Sequence, residues 1–300
     1  MSDPHQISHV SDTAHWVAVY RAMESERPDA LFRDPYARRL AGERGEAIVR
    51  AMPRGRSWDW PMIVRTAVMD ELLLRAIARD RVRTVVNLAA GLDARAYRLD
   101  LPRALRWIDV DLPAIQGYKR DALSGETPRC ALEWLPADLS DAVQRRAVLQ
   151  RVAAGPGPAL VITEGLLIYL EPDQVAGLAR DLHDCPVLSW WLMDLASPRL
   201  LKLMARTWGK AVSHGAPFRF APAEGTAFFA AAGWREAEFR SMWEESLRLK
   251  RSMRFAGFWN LLGRLYPKKT REEMRRMSGI VLMKTDGQGR TKTEEGGNRP

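Results

Sequence analysis

Gly91, Asp111, Asp138 and Glu164 each follow or end an apolar run that is typical of a buried strand. In open α/β sheets, ligands bind outside the carboxyl ends of the strands, near the point where the strand order reverses. We therefore expect these four residues to lie around one ligand. Carboxylates accept hydrogen bonds from hydroxyl and amino groups, so the three acids indicate a ligand that carries such donors.

Asp111 stands 20 residues after Gly91, at the predicted end of the second strand. An acid at this position can accept hydrogen bonds from both hydroxyls of a ribose, because a carboxylate accepts through two oxygens. The alternative is that Asp111 caps the helix that begins near Pro113. Both interpretations place Asp111 at a junction between strand and helix.

Two further acids also allow two interpretations each. Asp138 can contact the amino group of an adenine while Leu139 packs on the adenine ring, or Asp138 can cap a helix from residue 140. Glu164 lies inside the apolar run 159–170, where an unpaired carboxylate is costly. Glu164 therefore faces a cavity, a cation or a polar ligand group, or it belongs to a buried structural ion pair.

The first loop, Ala89-Ala90-Gly91, consists of small residues between a strand and a short helix that Asp93 can cap. Such a turn lets a ligand approach the backbone, although an ordinary turn can have the same composition. A nicotinamide dinucleotide requires G-x-G-x-x-G, and residues 89–94 contain one glycine. Walker A, G-x-S-x-G and clustered His/Cys patterns are absent too, so no metal site is expected. A ligand with ribose and adenine but no phosphate fits the acids at the strand ends and the lack of phosphate-binding motifs. S-adenosylmethionine is such a ligand.

The elements that position these residues alternate between strand and helix. Strands are predicted at 83–89, 105–110, 131–135, 159–164 and 187–195, and helices at 92–100, 113–123, 140–153 and 172–184. This alternation predicts a parallel sheet with helices on both faces. Earlier helices are predicted to begin at Asp12 or Thr13, at Pro35 and at Pro61. Residues 197–276 are mostly helical with a strand at 234–242, a last strand covers 278–284, and residues 285–300 have the composition of a disordered tail.

The net charge of +9 comes from the C-terminal part, since residues 199–276 contain 17 Lys/Arg against 7 Asp/Glu, a net of +10. Such a region can meet nucleic acid, an anionic lipid surface or an acidic substrate, or it can be a solvated face. Cys130 and Cys185 show no metal-ligand spacing, and the N-terminus has no cleavable apolar pattern, which predicts a reduced, cytoplasmic protein. No apolar run reaches membrane-spanning length, so no membrane partner is expected.

Eight segments together resemble the S-adenosylmethionine-dependent methyltransferases related to leucine carboxyl methyltransferases. The resemblance is strongest to a bacterial branch that includes mycobacterial methyltransferases and a polyketide O-methyltransferase. The segments are 12–22 (DTAHWVAVYRA), 31–37 (LFRDPYA), 65–70 (RTAVMD), 86–99 (VNLAAGLDARAYRL), 109–113 (DVDLP), 137–139 (ADL), 163–170 (TEGLLIYL) and 228–234 (FFAAAGW). All but the last lie in order between residues 12 and 170, over half of the chain.

The resemblance implies an α/β fold of the class I methyltransferases, with a Rossmann-like seven-stranded sheet. It divides the chain into an N-terminal helical extension (1–80), a cofactor-binding core (81–196), a lid insertion with the last strands (197–284) and a tail (285–300). It also implies roles: the carboxylate of the cofactor pairs with Arg65 and lies over Gly91, its ribose binds Asp111, its adenine contacts Asp138 and Leu139, and its ammonium group binds Glu164.

Ala89 departs from the family, which usually has Gly-Ala-Gly in the first loop. The extra methyl group can crowd the ligand, so we expect weaker cofactor binding rather than none. Family members also use a second basic residue near the N-terminal helix to contact the cofactor carboxylate. Arg21 is the candidate for that position.

The implied function is O-methylation of a carboxylate or hydroxyl on a small molecule, such as a polyketide-like or aromatic acid. A carboxylate needs no general base, whereas a phenol or alcohol usually does; His183, His214 and Tyr169 are candidates, and no catalytic base is assigned. The alternatives are methylation of a protein C-terminus and a non-catalytic protein that binds a partner through its basic face. Cations and aromatic rings in 199–276 favour an acidic or aromatic acceptor over nucleic acid, the rings being Trp208, Phe218, Phe220, Trp243, Phe255, Phe258 and Trp259.

Overall fold

The computed structural model describes residues 12–52, 59–212, 217–263 and 265–286 of the chain. Its centre is one seven-stranded sheet with the strand order β3-β2-β1-β4-β5-β7-β6. The strands are β1 (Thr84–Leu88), β2 (Arg106–Asp111), β3 (Ala131–Pro136), β4 (Ala159–Thr163), β5 (Leu188–Ala196), β6 (Trp234–Ser241) and β7 (Ser278–Thr285). The Rossmann-like seven-stranded sheet expected from the sequence is therefore present.

Strand direction agrees with the expectation for the alternating part of the chain, since β1 to β5 pair in parallel. β7 runs antiparallel to both β5 and β6. The sequence pattern did not predict that direction, because β7 does not belong to the alternating strands and helices. β1 lies between β2 and β4, so the strand order reverses at β1 and leaves a crevice at its carboxyl end.

The helices described before the sheet are α1 (Asp12–Ser25), α2 (Ala37–Ala51) and α3 (Trp60–Arg79). Pro61 lies in the first turn of α3, as expected. The predicted start of α2 at Pro35 is wrong by two residues. The side chain of Asp34 accepts a hydrogen bond from the backbone N–H of Tyr36 (3.2 Å), which places these residues in a turn before the helix.

The connecting helices are α4 (Arg95–Arg98), α5 (Pro113–Ala122), α6 (Ala142–Ala153) and α7 (Pro172–His183). α4 is shorter than the predicted 92–100. A carboxylate oxygen of Asp93 accepts from the backbone N–H of Arg95 at 2.8 Å, and Leu99 is already extended. The hydrogen bond before the helix and the extended backbone after it limit α4 to a single turn beside the first loop.

In the C-terminal part, which was expected to contain a lid, the described α-helices are α8 (Pro198–Val212), α9 (Met242–Arg248), α10 (Ala256–Gly263) and α11 (Lys268–Arg275). β7 continues through Thr285, one residue into the predicted tail, and residues 287–300 lie outside the described part of the chain. Among the described helices, none is both long and apolar enough to cross a membrane.

The core lies on both faces of the sheet. Val85 of β1 packs into a buried cluster with residues of α1, α2 and α3, whereas the next residue, Val86, packs on the other face with residues of α6 and α7. Successive side chains of a strand point to opposite faces. The fully buried strand β1 therefore contributes side chains to the core on both faces of the sheet. The two layers fix the carboxyl edge of the sheet, where the candidate residues lie.

Candidate functional site

A cavity of about 460 Å³ opens at the carboxyl edge of the sheet. Its wall includes all seven residues predicted to bind the cofactor: Arg65, Ala89, Gly91, Asp111, Asp138, Leu139 and Glu164. Residues of α1 and α3 line the cavity as well, and the residues of the C-terminal helices that line it are mostly apolar. The structure therefore brings together residues from five separate segments of the sequence.

The first loop adopts a backbone conformation that favours glycine. Ala89 has φ +52° and Gly91 has φ +48°. Both values lie in the left-handed region, which residues other than glycine rarely adopt. A β-carbon on Gly91 would lie 3.1 Å from the β-carbon of Ala14 on α1, so the loop packs tightly against the N-terminal helix. The glycine that the family usually has at position 89 therefore matches the observed backbone better than alanine does.

Asp111 connects the second strand to the first loop. One carboxylate oxygen accepts from the backbone N–H of Gly91 at 2.6 Å, and the other accepts from that of Leu112 at 2.7 Å. α5 begins at Pro113, and its cap residue Leu112 makes no side-chain cap bond. Burial raises the pKa of Asp111 while the two backbone hydrogen bonds oppose that shift. Each oxygen retains a lone pair for a ligand.

Glu164 is held by two arginines. Its oxygens accept from Nε of Arg65 at 3.0 Å and from Nη1 of Arg95 at 2.6 Å. Burial alone would raise the pKa of Glu164, but Arg95 and Arg65 outweigh it and lower the pKa below its ordinary value. Glu164 therefore fits both interpretations from the sequence: it belongs to a buried ion pair, and it also lines the cavity.

Arg95, which was not among the predicted site residues, bridges three acids. It donates to Asp70 at 2.6 Å, to Asp93 at 2.8 Å and to Glu164 at 2.6 Å, and its side chain is 2% exposed. Although burial opposes it, Arg95 holds the pKa of Asp93 far below its usual range. The Asp93-Ala-Arg95 pattern after the first loop was a sequence signal for this role, because a buried arginine needs acidic partners.

A second residue that was missed from the sequence is an acid, Asp194 on β5. It accepts from Nη1 of Arg65 at 3.1 Å and from the backbone N–H of Gly165 at 2.7 Å, and it lines the cavity. Like Glu164, it is an acid within an apolar strand, a pattern that could have identified it. Arg21 also lines the cavity, with Nη2 donating to the carbonyl of Leu92 at 2.5 Å.

The loop after β3 places Asp138 and Leu139 in the cavity wall. A carboxylate oxygen of Asp138 accepts from the backbone N–H and the hydroxyl of Ser140, at 2.9 and 2.7 Å. The expected helix start at 140 is two residues early, and the cap is Asp141, which accepts from the backbone N–H of Val143 at 2.7 Å. Asp138 is thus part of the turn before the capped helix.

Of the three candidate bases, Tyr169 is the one found at the cavity. Its ring lies 5.8 Å from that of Phe218, and burial raises its pKa. His183 lies instead beside Trp234, with Nε2 3.7 Å from Asp286. His214 lies outside the described residues.

Among the residues that the structure describes, no Lys or Arg of the C-terminal helices lines the cavity. Arg251 is buried against Glu24 at 2.9 Å, and Arg248 contacts Glu71 at 2.8 Å. Among the aromatic residues expected at the acceptor, Phe218 and Trp243 line the cavity. Phe220 is buried elsewhere; Phe255, Phe258 and Trp259 are exposed; and the side chain of Trp208 lies outside the description. The described cations of residues 199–276 pair with acids or are exposed, so an acidic acceptor stays a prediction from composition.

The sequence profile of the leucine carboxyl methyltransferase family matches residues 14–183, more than half of the chain. The chain belongs to this family. Membership confirms the resemblance found in the sequence segments, and the cofactor of the family is S-adenosylmethionine. The matched residues contain all seven predicted binding residues.

Relatives named "Putative S-adenosyl-L-methionine-dependent methyltransferase" occur in several actinobacteria. Those of Frankia alni, Streptomyces avermitilis and Mycobacteroides abscessus are 40%, 38% and 35% identical over 179, 184 and 192 residues. The alignments cover 55%, 57% and 58% of this chain and 61%, 63% and 61% of those relatives. The match thus spans less than two thirds of their length.

Among solved structures, a DUF574 family protein from Streptomyces avermitilis is similar, with a TM-score of 0.57 at 13% identity. The superposition covers 94% of this chain and 100% of that chain. It confirms the overall fold, including the C-terminal part that lies beyond the family match.

Proposed function

We propose that this chain is an S-adenosylmethionine-dependent methyltransferase that methylates an oxygen atom of a small molecule. The observation that carries this proposal is the meeting of seven motif residues, from Arg65 to Glu164, around one cavity at the carboxyl edge of the sheet. Ligands of open α/β sheets bind at this edge. The described residues there fit the cofactor in charge and polarity at both of its ends.

The methionine end of the cofactor carries a carboxylate and an ammonium group, and the cavity offers both complementary charges side by side. Arg65 would bind the carboxylate, because Glu164 and Asp194 occupy its Nε and Nη1 and Nη2 remains for a ligand. Glu164 and Asp194 would bind the ammonium group. Arg95 acts here as a positioning residue that fixes Glu164.

The nucleoside end would contact the residue that ends β2 and residues that follow β3. Asp111 would accept hydrogen bonds from the ribose hydroxyls with the lone pairs that Gly91 and Leu112 leave unused. Leu139 offers an apolar surface for the adenine ring, and Asp138 an acceptor for its amino group. Ala89 stays in this set as a residue of the cavity wall whose methyl group would crowd the cofactor.

The bound cofactor supplies an electrophilic methyl group on a sulfonium, and the chain has to align the acceptor and exclude water. The acceptor side of the cavity is apolar, with Met204, Phe218, Met242, Trp243, Met253, Met274 and Met277 in its wall. Methionine side chains adapt to irregular apolar shapes. We therefore propose an acceptor with an aromatic or otherwise apolar body.

The acceptor oxygen is proposed to arrive ionised, as a carboxylate or an acidic phenol. Burial raises the pKa of Tyr169, which keeps its hydroxyl protonated at neutral pH, so Tyr169 can donate a hydrogen bond but is a poor base. Within the part of the chain that the structure describes, the cavity wall contains no histidine. An acceptor that is already ionised needs no general base, so it requires neither Tyr169 nor a histidine in that role.

Methyl transfer from cofactor labelled in its methyl group tests this proposal. Aromatic and aliphatic carboxylic acids, acidic phenols, RNA and a protein extract would be incubated separately with the full chain and with the Asp111→Ala variant. We expect label in an organic-extractable small molecule with the parent only. Release of the label by mild base would identify a methyl ester, and retention an ether. Label confined to RNA or protein would contradict a small-molecule acceptor.

A further inference from the structure

Large apolar side chains are exposed around α10. The exposed fractions are 65% for Phe255, 57% for Phe258, 54% for Trp259, 60% for Leu261, 83% for Leu265 and 52% for Tyr266. We call these six residues the apolar patch. Contiguous exposed apolar surface of this kind is uncommon on soluble proteins and marks an interaction surface.

The side chains that hold α10 on the protein are small or polar. Ala256 is buried, and Asn260, one turn later, accepts a hydrogen bond from the indole N–H of Trp243 at 3.3 Å. The rings of Phe258 and Trp259 lie against each other at 5.7 Å on the outer side. The polarity of α10 is thus the reverse of that of an ordinary surface helix, whose apolar side faces the core.

Positive charge surrounds the apolar patch. Residues 246–271 contain eight Lys/Arg and no Asp/Glu. Arg248 and Arg251 are paired with acids of the N-terminal helices, but Arg254, Lys268 and Lys269 are exposed next to the patch. The guanidinium of Arg254 lies 4.9 Å from the ring of Phe255. Aromatic and leucine side chains beside exposed cations match the interface of a bilayer that contains anionic lipids.

We propose that the apolar patch docks this protein on the surface of an anionic phospholipid bilayer. α10 has eight residues, so it would lie along the interface and not span it. Leu261 and Leu265 favour this partner over single-stranded nucleic acid, whose bases stack on aromatic rings and gain little from leucine. The absence of a spanning segment, which led to the expectation of no membrane partner, does not bear on docking of this kind.

Two exposed residues near the patch in the sequence also line the cavity: Met253, two residues before Phe255, and Met274 on α11. Met253 and Met274 are 40% and 41% exposed. If the proposed methyl-transfer function holds, an apolar acceptor dissolved in the bilayer would reach the cavity without crossing water. This consequence rests on the proposed function, whereas docking itself does not.

Vesicle flotation of the full chain, without cofactor or acceptor, tests the docking alone. Vesicles of phosphatidylcholine would be compared with vesicles of phosphatidylcholine mixed with phosphatidylglycerol. We expect the parent to float with the mixed vesicles and to be released by salt. The Phe258→Ser/Trp259→Ser double variant should lose about tenfold or more in partitioning, because two large apolar side chains no longer enter the interface.

Two further variants make the test specific. Lys268→Glu/Lys269→Glu should abolish the preference for phosphatidylglycerol. Val143→Ser, which removes a side chain 68% exposed on α6, should bind as the parent does. Thermal melting of each variant checks that it is folded. The proposal is overturned if the parent stays with the soluble fraction on both vesicles, if the double variants float equally well, or if the patch instead mediates dimerisation or RNA binding.

Discussion

Nε of Arg65 lies 3.0 Å from the carboxylate of Glu164, although 99 residues separate the two in the chain. The pair joins α3, which precedes the sheet, to the end of β4 at the cavity wall. Nη1 of the same guanidinium contacts Asp194 at 3.1 Å. Because one cation holds two acids of the proposed cofactor site, ligand affinity and fold stability should depend on the same side chain.

Arg65→Ala should therefore weaken both properties. Loss of one partner from a buried ion pair typically lowers the free energy of unfolding by about 3 to 5 kcal/mol, and the cofactor carboxylate would lose its cation. Titration calorimetry with S-adenosylmethionine and chemical unfolding measure the two effects. Arg106→Ala is the matched control, since Arg106 pairs with Glu133 at 2.8 Å outside the cavity and its loss should leave affinity unchanged. Unchanged affinity in Arg65→Ala would remove Arg65 from the cofactor site.

Glu164→Gln should change the dependence of stability on pH. The folded pKa of Glu164 lies below its ordinary value of 4.5 because Arg95 and Arg65 outweigh burial. Its ion pairs therefore add stability that is fully present above pH 4.5 and is lost as the pH falls through the lowered folded pKa. The parent should exceed the variant in free energy of unfolding at neutral pH, by roughly 1.5 to 3 kcal/mol, and the difference should shrink in acid. A difference that is constant from pH 7 to pH 3 would show that the charge of Glu164 is not the cause.

Ala89→Gly should preserve or improve cofactor affinity without lowering stability. Relief of the left-handed conformation at φ +52° contributes about 1 kcal/mol, which offsets the entropy that glycine adds to the unfolded chain. Ala90→Gly is the control, because Ala90 is not among the residues with positive φ. Glycine at that position should lower the stability of the protein. Weaker binding by a folded Ala89→Gly variant would mean that the methyl group makes a useful contact.

Tyr169→Phe should retain most of the methyl-transfer activity. A phenol whose pKa is raised by burial stays protonated at neutral pH, so its removal costs a hydrogen bond but no base. We expect kcat to fall less than about tenfold and the pH profile to keep its shape, whereas loss of a general base costs roughly a hundredfold or more. A larger loss, with a changed pH profile, would assign the base to Tyr169.

The sheet was largely predictable because its signals are local. β1 and β4 are buried β-branched runs bounded by small or polar residues, and their predicted limits differ from the observed ones by one residue at most. The direction of β7 was not predictable, since it depends on pairing with β5 across the whole C-terminal part of the chain.

The site was predictable where a motif places a residue at a strand end, as for Gly91 and Asp111. Their mutual hydrogen bond was not foreseen, because sequence spacing does not give side-chain direction. Asp194 was missed although it is an acid within an apolar strand, and its contact with Arg65, 129 residues away, has no local sequence signal. The net charge of residues 199–276 does not show which cations are paired, because Arg251, for example, pairs with Glu24, 227 residues away.

Calorimetric titration of S-adenosylmethionine into the parent and into Asp111→Ala tests the central claim most directly. We predict one site in the parent and a loss of roughly a hundredfold in affinity in Asp111→Ala, near the upper end for a charge-assisted hydrogen bond. Asp141→Ala, which removes the true cap of α6, should bind as the parent does, and NAD should give no binding heat. Binding of NAD by the parent, with none of S-adenosylmethionine, would contradict the account.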